Sequence, residues 1–451
     1  MTGNGQLDSL AGRGSAPVSL RSRLGMRTTP GKIRLLLIGL IVLCLGWGAL
    51  AAFSVAGYES AAGGVVRVNE PLTLDAQHIY QDLSDANDTE ATAFLTGGLE
   101  PFSLRNRYLA DVEAASAATE TATSMEGAAT GSTAASATSK DLLTLSTDLP
   151  VYTGEIETAR ADNRIGYPVG AAYLREATTL MNSSLLPAAE GLYTAENAQL
   201  TATSAGATGL PLVLATIVAG LVLGYVLYWT SRWLTRRTNR VLNPGLAAAG
   251  VMALIALIWF AAVYGGARGD LLAARSRGAV PVAALAQADI AALQAHADES
   301  LTLIDDAGDD QYQADYLRAQ KTLGPGPGTL LSAVSSASAG SPGAGPASAA
   351  VAKARAWYTA HAQLREQDDD GDHAAAVASA LGTGKTDAGG QFTAFESDVS
   401  SALTADQAAL RASAQAGEDM YTGLEAGIII LALLMAAACA WGLNRRLTEY
   451  R

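Results

Sequence analysis

The chain has 451 residues, 49% of them apolar, and a formal charge of −13 from 30 basic and 43 acidic side chains. The apolar residues gather in four charge-poor stretches of about 20 residues instead of spreading through one core. That distribution excludes a soluble enzyme as the default reading, and the acids leave no basic face of the kind nucleic acid requires.

In chain order, residues 1–32 are rich in Gly, Ser and Arg without apolar periodicity, and read as a disordered basic tail that meets anionic lipid. Residues 33–57, 210–230, 246–264 and 424–443 each suffice, at about 1.5 Å rise per residue, to cross a hydrocarbon layer of roughly 30 Å. Arg34 and Glu425 sit only at span edges, and Tyr58, Trp229, Trp233, Trp259, Tyr264 and Trp441 lie near the ends, where interfacial aromatics belong. An Ala-x-Ala pattern at 49–51 fits a signal-peptidase site, but the preceding apolar run exceeds the roughly 7–15 residues of such a region. Cys44 and Cys439, the only cysteines, both fall in spans, so no disulfide framework is expected.

Charge orients the spans. The chain up to Arg34, the loop 231–245 and the tail 444–451 hold 13 basic residues and two acids, Asp8 and Glu449. Residues 58–204 and 265–423 each hold 20 acids, against 7 and 10 bases. Retained Lys and Arg mark the cytoplasmic side, which predicts both termini inside and two extracytoplasmic domains, 58–209 and 265–423.

Both large segments read as helical. Leu72, Ala76, Ile79, Leu83 and Ala86 follow a 4,3 spacing, as do Val282, Ala286, Ile290, Leu293, Ala297, Leu301 and Ile304. Gly97, Gly98 and Pro101 end the first helix, and Ala307-Gly308 the second. The small-residue stretches 114–139 and 324–350 divide each segment into two helical pairs, the second stretch reading as a flexible linker. Pro187 falls inside a helical pattern that it is expected to kink. Pro71 precedes Asp88 by the same 17 residues that separate Pro281 from Asp298, and Tyr108-Leu109 is echoed by Tyr316-Leu317, a pattern of internal duplication. The predicted fold is an all-α membrane protein with four spans and two helical, bundle-like outer domains.

Chemistry-bearing residues are few. No histidine pairs with a second His or a Cys at metal-ligand spacing, and there is no nucleophile elbow or phosphate-cradling loop, so neither metal nor cofactor is expected. Asp368–Asp372 resembles part of a calcium loop, but Val377 stands where the closing bidentate Glu belongs, and a solvated turn is the better reading. Arg105, Arg107, Arg160 and Arg164 are four of seven bases in 58–204. They suit a carboxylate ligand or an acidic partner patch, with Tyr108, Tyr167 and Tyr173 expected to line a pocket beside them. The competing reading pairs them with Glu100, Asp111, Glu157 and Asp162 and places the tyrosines in the core. Gly220 and Gly224 form a GxxxG motif open to homo-oligomerisation or to packing among the spans. The loop arginines Arg232, Arg236, Arg237 and Arg240, with Trp233, serve orientation and lipid contact and are also a candidate docking surface.

The stretch YTGEIETARADNRIGYPVGAAYLREATTLMNSSLLPAAEGLY, residues 152–193, resembles the signature region of the GlnX family of actinobacterial membrane proteins, whose four-span layout is similar. The resemblance implies signalling between an outer amino-acid-binding lipoprotein, GlnH, and a cytoplasmic Ser/Thr kinase, PknG. Residues 265–423 lack a counterpart of Arg160–Pro168. The expected function is a non-enzymatic transmembrane signal transducer; the alternative is a structural scaffold of an envelope complex. A transporter is disfavoured because no ionisable group lies in the bilayer interior to form a polar pathway.

Overall fold

The structure, a computed structural model, describes residues 29–64, 70–126, 133–207, 211–238, 243–305 and 311–448. Among them every long element is a helix and no strand occurs. In chain order these are α1 (Thr29–Gly64), α2 (Glu70–Leu95), α3 (Phe102–Glu126), α4 (Thr133–Arg164), α5 (Val169–Leu180), α6 (Leu186–Ala207), α7 (Pro211–Thr238) and α8 (Pro244–Ala274). They continue as α9 (Val280–Ile304), α10 (Gln311–Leu323), α11 (Leu330–Ala337), α12 (Ala344–Asp369), α13 (His373–Leu381), α14 (Ala388–Asp419) and α15 (Leu424–Thr448). The basic tail up to residue 28 and the Ala307-Gly308 break lie outside the described residues.

The chain divides into two compact units, one of Met1–Ala56, Leu210–Val263 and Gly423–Arg451, the other of Gly57–Gly209 and Tyr264–Thr422. The first, the span unit, takes the apolar parts of α1, α7, α8 and α15, four helices long and apolar enough to cross a membrane. This is the all-α membrane fold class that the hydropathy pattern predicts.

Within the span unit, small residues bring backbones together and buried polar groups find partners, as a lipid-facing fold demands. Trp47 Nε1 donates to the Thr216 carbonyl at 3.1 Å, and the Ser54 and Thr216 hydroxyls lie 2.8 Å apart. Asn243 Nδ2 donates to the Gly442 carbonyl at 3.0 Å while its Oδ1 accepts from Gly245 N–H at 3.1 Å, where α8 and α15 approach. Cys44 and Cys439 are free and buried. Of the GxxxG pair, Gly220 faces Leu257 and Trp47, whereas nothing lies within 4 Å of a Cβ built on Gly224.

Among the described residues the second unit, the polar unit, holds two large apolar cores and a small cluster of Ala274, Leu410 and Ala414. One gathers Ile79, Leu83, Tyr108, Leu145, Tyr152, Leu174 and Met181 from α2 to α6. The other gathers Leu293, Tyr316, Leu331, Trp357, Phe392 and Phe395 from α9 to α14. Leu74 of α2 belongs to the second core, and Ala297 and Leu301 of α9 to the first. Both predicted 4,3 stripes are buried almost throughout. The sequence reading gives each large segment a domain of its own; in the structure the two segments form one unit, because α2 and α9 pack side by side and each serves both cores.

Gln81 bonds Asp289, Asp88 bonds His296, and Thr92 bonds Ser300, each pair 208 residues apart. A constant offset means that the two helices run parallel and in register. The positions climb by seven and then four, the spacing of a helix-helix seam.

Two pairs of helices are joined end to end, each through one wide turn: α5 to α6 by Met181–Leu185, and α8 to α9 by Arg275–Ala279. Leu186 and Val280 donate to Met181 and Arg275, five residues back. In both cases proline follows at once, Pro187 and Pro281. Proline has no N–H to give and its ring crowds the carbonyl four residues back, so a widened turn relieves the clash. Gly278, inside the second wide turn, lies against the α14 backbone: a Cβ there would stand 2.7 Å from Leu410 Cα.

The stretch 324–350, read from sequence as a linker, is instead built into the second core. Leu331, Val334, Ala347 and Ala350 are buried. Asp406, fully buried on α14, accepts from Gly343 N–H at 2.7 Å and from the Ser341 hydroxyl at 3.1 Å, which fixes the start of α12. Small residues here permit close approach, a reason for Gly and Ala that composition alone does not separate from flexibility.

Candidate functional site: a buried polar seam

The α2–α9 seam is where the polar unit departs from an apolar interior. His296 Nδ1 donates to Asp88 Oδ1 at 2.6 Å, and its Nε2 lies 3.9 Å from Glu299 Oε1. Glu299 Oε2 accepts from His361 Nδ1 at 2.5 Å. Asp88, His296, Glu299 and His361 are all buried. Phe392 stacks on the His296 ring at 3.8 Å and Tyr316 on the His361 ring at 3.5 Å, with Trp357 edge-on to His296 and Tyr316. These aromatic plates fix the imidazole planes, so each ring nitrogen has one direction in which to bond.

A second group adjoins the first. Arg107 of α3 bonds Asp85 of α2 at 2.5 Å and also Glu396 of α14. Asp289 accepts from Gln81 Nε2 at 2.5 Å. Burial, with Glu396 and Asp85 nearby, drives the Asp289 carboxyl well above the usual carboxylate range. Burial likewise raises Asp85 and Glu396, against the pull of Arg107. Burial and Asp85 push Asp111 up to about 8 and Asp82 up to about 7. Burial alone would lower His296, but Asp88, then Glu299 and Glu396, outweigh it and hold the imidazole at about 9. That raised value favours the protonated ring, which Asp88 faces at 2.6 Å.

The two groups touch electrostatically through Asp88, which faces both Asp85 and Glu396. The network thus draws on α2, α3, α9, α12 and α14, from both large segments of the chain. Its members are buried or half-buried and mutually coupled, so sliding α2 against α9 or moving one proton changes several pairs at once. Among the described residues no group of three or more His, Cys, Asp or Glu is placed to hold a metal ion.

The residues singled out from sequence do not form one site. Arg105, Tyr108 and Arg160 come together: Arg105 bonds Glu157 at 2.8 Å, and Arg160 bonds Glu100 and Glu157 at 2.7 Å each and also Glu90. The buried Tyr108 ring lies 5.2 Å from the Arg160 guanidinium and 5.9 Å from that of Arg105. Glu100 and Glu157 are partners that the competing sequence reading names. Arg107 stands apart, in the seam network. Arg164 and Tyr167 are exposed beside the turn 165–168, where Gly166 has φ +76°, and Tyr173 is half-buried against the first core. Arg232 and Arg236 are exposed on α7 and Trp233 is half-buried; the Arg237 side chain and Arg240 lie outside the described residues.

Asp368 and Asp369 bond Arg365 at 2.6 and 2.8 Å, Asp368 also meets His373 at 2.8 Å, and the Asp372 carboxylate caps α13. This is an ion-paired helix-helix turn, closed by Gly371 at φ +87°.

Sequence reasoning misses the seam: Asp85, Asp88, Asp289, His296, Glu299, His361 and Glu396. The available signal is the run of polar residues at 81, 88 and 92 beside the apolar stripe of α2, matched at 289, 296 and 300. Neither a curated protein nor a solved structure matches the chain. Residues 61–205, from the end of α1 through α6, match the family model of an actinobacterial sensor domain, which supports a sensing role in an actinobacterial membrane protein.

Proposed function

We propose that this protein is a transmembrane signal transducer with no catalytic activity of its own. The polar unit reads a signal outside the cell, either a small molecule or a ligand-loaded amino-acid-binding lipoprotein of the GlnH kind. The arginine-rich segments inside pass it to a cytoplasmic partner, a Ser/Thr kinase of the PknG kind. The observation that carries this reading is the sensor-domain match over residues 61–205 in a chain with four helices able to cross a membrane. The seam supplies a physical means. A ligand that prefers one arrangement of α2 against α9 shifts the balance by its differential affinity, and α9 continues without a break from the span-forming α8.

Affinity capture from native membranes tests the relay. A cytoplasmic Ser/Thr kinase is expected to co-purify with the wild-type chain and to fall about tenfold when Arg232, Arg236, Arg237 and Arg240 are all replaced by Ala. Unchanged recovery from that variant overturns the docking site, and capture without any kinase overturns the relay.

A further inference from the structure

Beyond the seam, a cavity of about 370 Å³ opens where α2, α6 and α9 meet, lined chiefly by Gln77, Tyr80, Glu190, Tyr193, Gln287 and Gln294. Ile290 and Leu330 give it an apolar floor. Its size suits a small organic molecule. Tyr80 and Gln294 both line the cavity. Gln77 is only 3% exposed, yet its carboxamide nitrogen has no hydrogen-bond partner. A buried donor left unmade costs about 1–3 kcal/mol and marks a place where an acceptor from elsewhere belongs.

The charge of the wall selects the ligand. Among the described lining residues Glu190 is the one carboxylate, and neither Lys nor Arg occurs. A bare anion would enter without a counter-charge, whereas a cation meets a carboxylate and two tyrosines, the combination that recognises ammonium groups. We propose that this cavity binds a small organic ammonium compound bearing one hydrogen-bond acceptor, its cationic head held by Glu190, Tyr80 and Tyr193 and its acceptor met by Gln77. Gln81, one helical turn beyond Gln77, is the residue that bonds Asp289. An occupied cavity therefore sits next to the seam. Binding stands independently of the sensing reading, while the role of the bound molecule as a signal rests on it.

The test uses the full-length protein in detergent, with choline and glycine betaine as probes and 3,3-dimethylbutanol as the uncharged shape analogue of choline. Isothermal titration is expected to show saturable binding of at least one ammonium probe and none of the analogue. Glu190→Gln, at an exposed position, is expected to weaken binding about tenfold, and Gln77→Leu to weaken it with the circular dichroism spectrum preserved. Equal binding of choline and 3,3-dimethylbutanol, no binding of either ammonium probe, or unchanged affinity in Glu190→Gln overturns the proposal. Binding that follows this pattern but leaves kinase recovery unaltered upholds the site and counts against the sensing reading alone.

Discussion

Asp88 and His296 are the residues on which the polar unit's response to pH turns. With its pKa raised from 6.5 to about 9, His296 adds stability that is fully present below pH 6.5 and is lost as pH rises through 9. Asp82 and Asp111, raised to about 7 and 8, hold protons in the folded chain that the unfolded chain has already released, so they too make stability fall as pH climbs from about 4 to 8. Asp88→Asn keeps the shape and removes the charge partner. In urea unfolding of the detergent-solubilised protein, the variant is expected to be about 2–4 kcal/mol less stable at pH 6.5, with the gap closing above pH 9. A gap that stays constant with pH contradicts this account, because Asp82 and Asp111 act alike in both proteins.

At the scale of the helix, the wide turn Arg275–Ala279 and its glycine decide how α8 and α9 meet α14. Gly278→Ala places a Cβ 2.6 Å from Leu410 Cβ and 2.7 Å from its Cα, and since part of the obstacle is backbone, no rotamer change relieves it. The expected cost is about 1–3 kcal/mol in the same unfolding measurement, with Gly269→Ala, where nothing lies within 4 Å, as the neutral control. Equal stability of the two variants would mean that the approach of α14 is not tight. The elements themselves were largely legible: the stripes from Leu72 and Val282, the break at Gly97-Gly98 and the four apolar helices all follow from local periodicity and from glycine's tolerance of positive φ. The seam was not, for a physical reason. A charge on a helix is ordinarily solvated, and only a partner 208 residues away turns Asp88 and His296 into an interior pair. The stretch 324–350 was misread because small residues serve a tight interface and a loose linker alike.

For the molecule as a whole, the proposed relay needs one arrangement, which the charge asymmetry of the sequence predicts: a polar unit outside and arginine-rich segments inside. The network joins both large segments within that unit through pairs such as Asp88–His296 and Arg107–Glu396, so displacing either segment disturbs partners on the other. Signalling across the membrane requires this orientation before anything else. Impermeant maleimide labelling of intact cells measures it directly, with a cysteine at Asp370→Cys in the exposed turn and another at Arg236→Cys on α7, since the native Cys44 and Cys439 are buried. The account predicts that Asp370→Cys reacts in intact cells and that Arg236→Cys reacts only once the membrane is permeabilised. Labelling in the opposite order would contradict it.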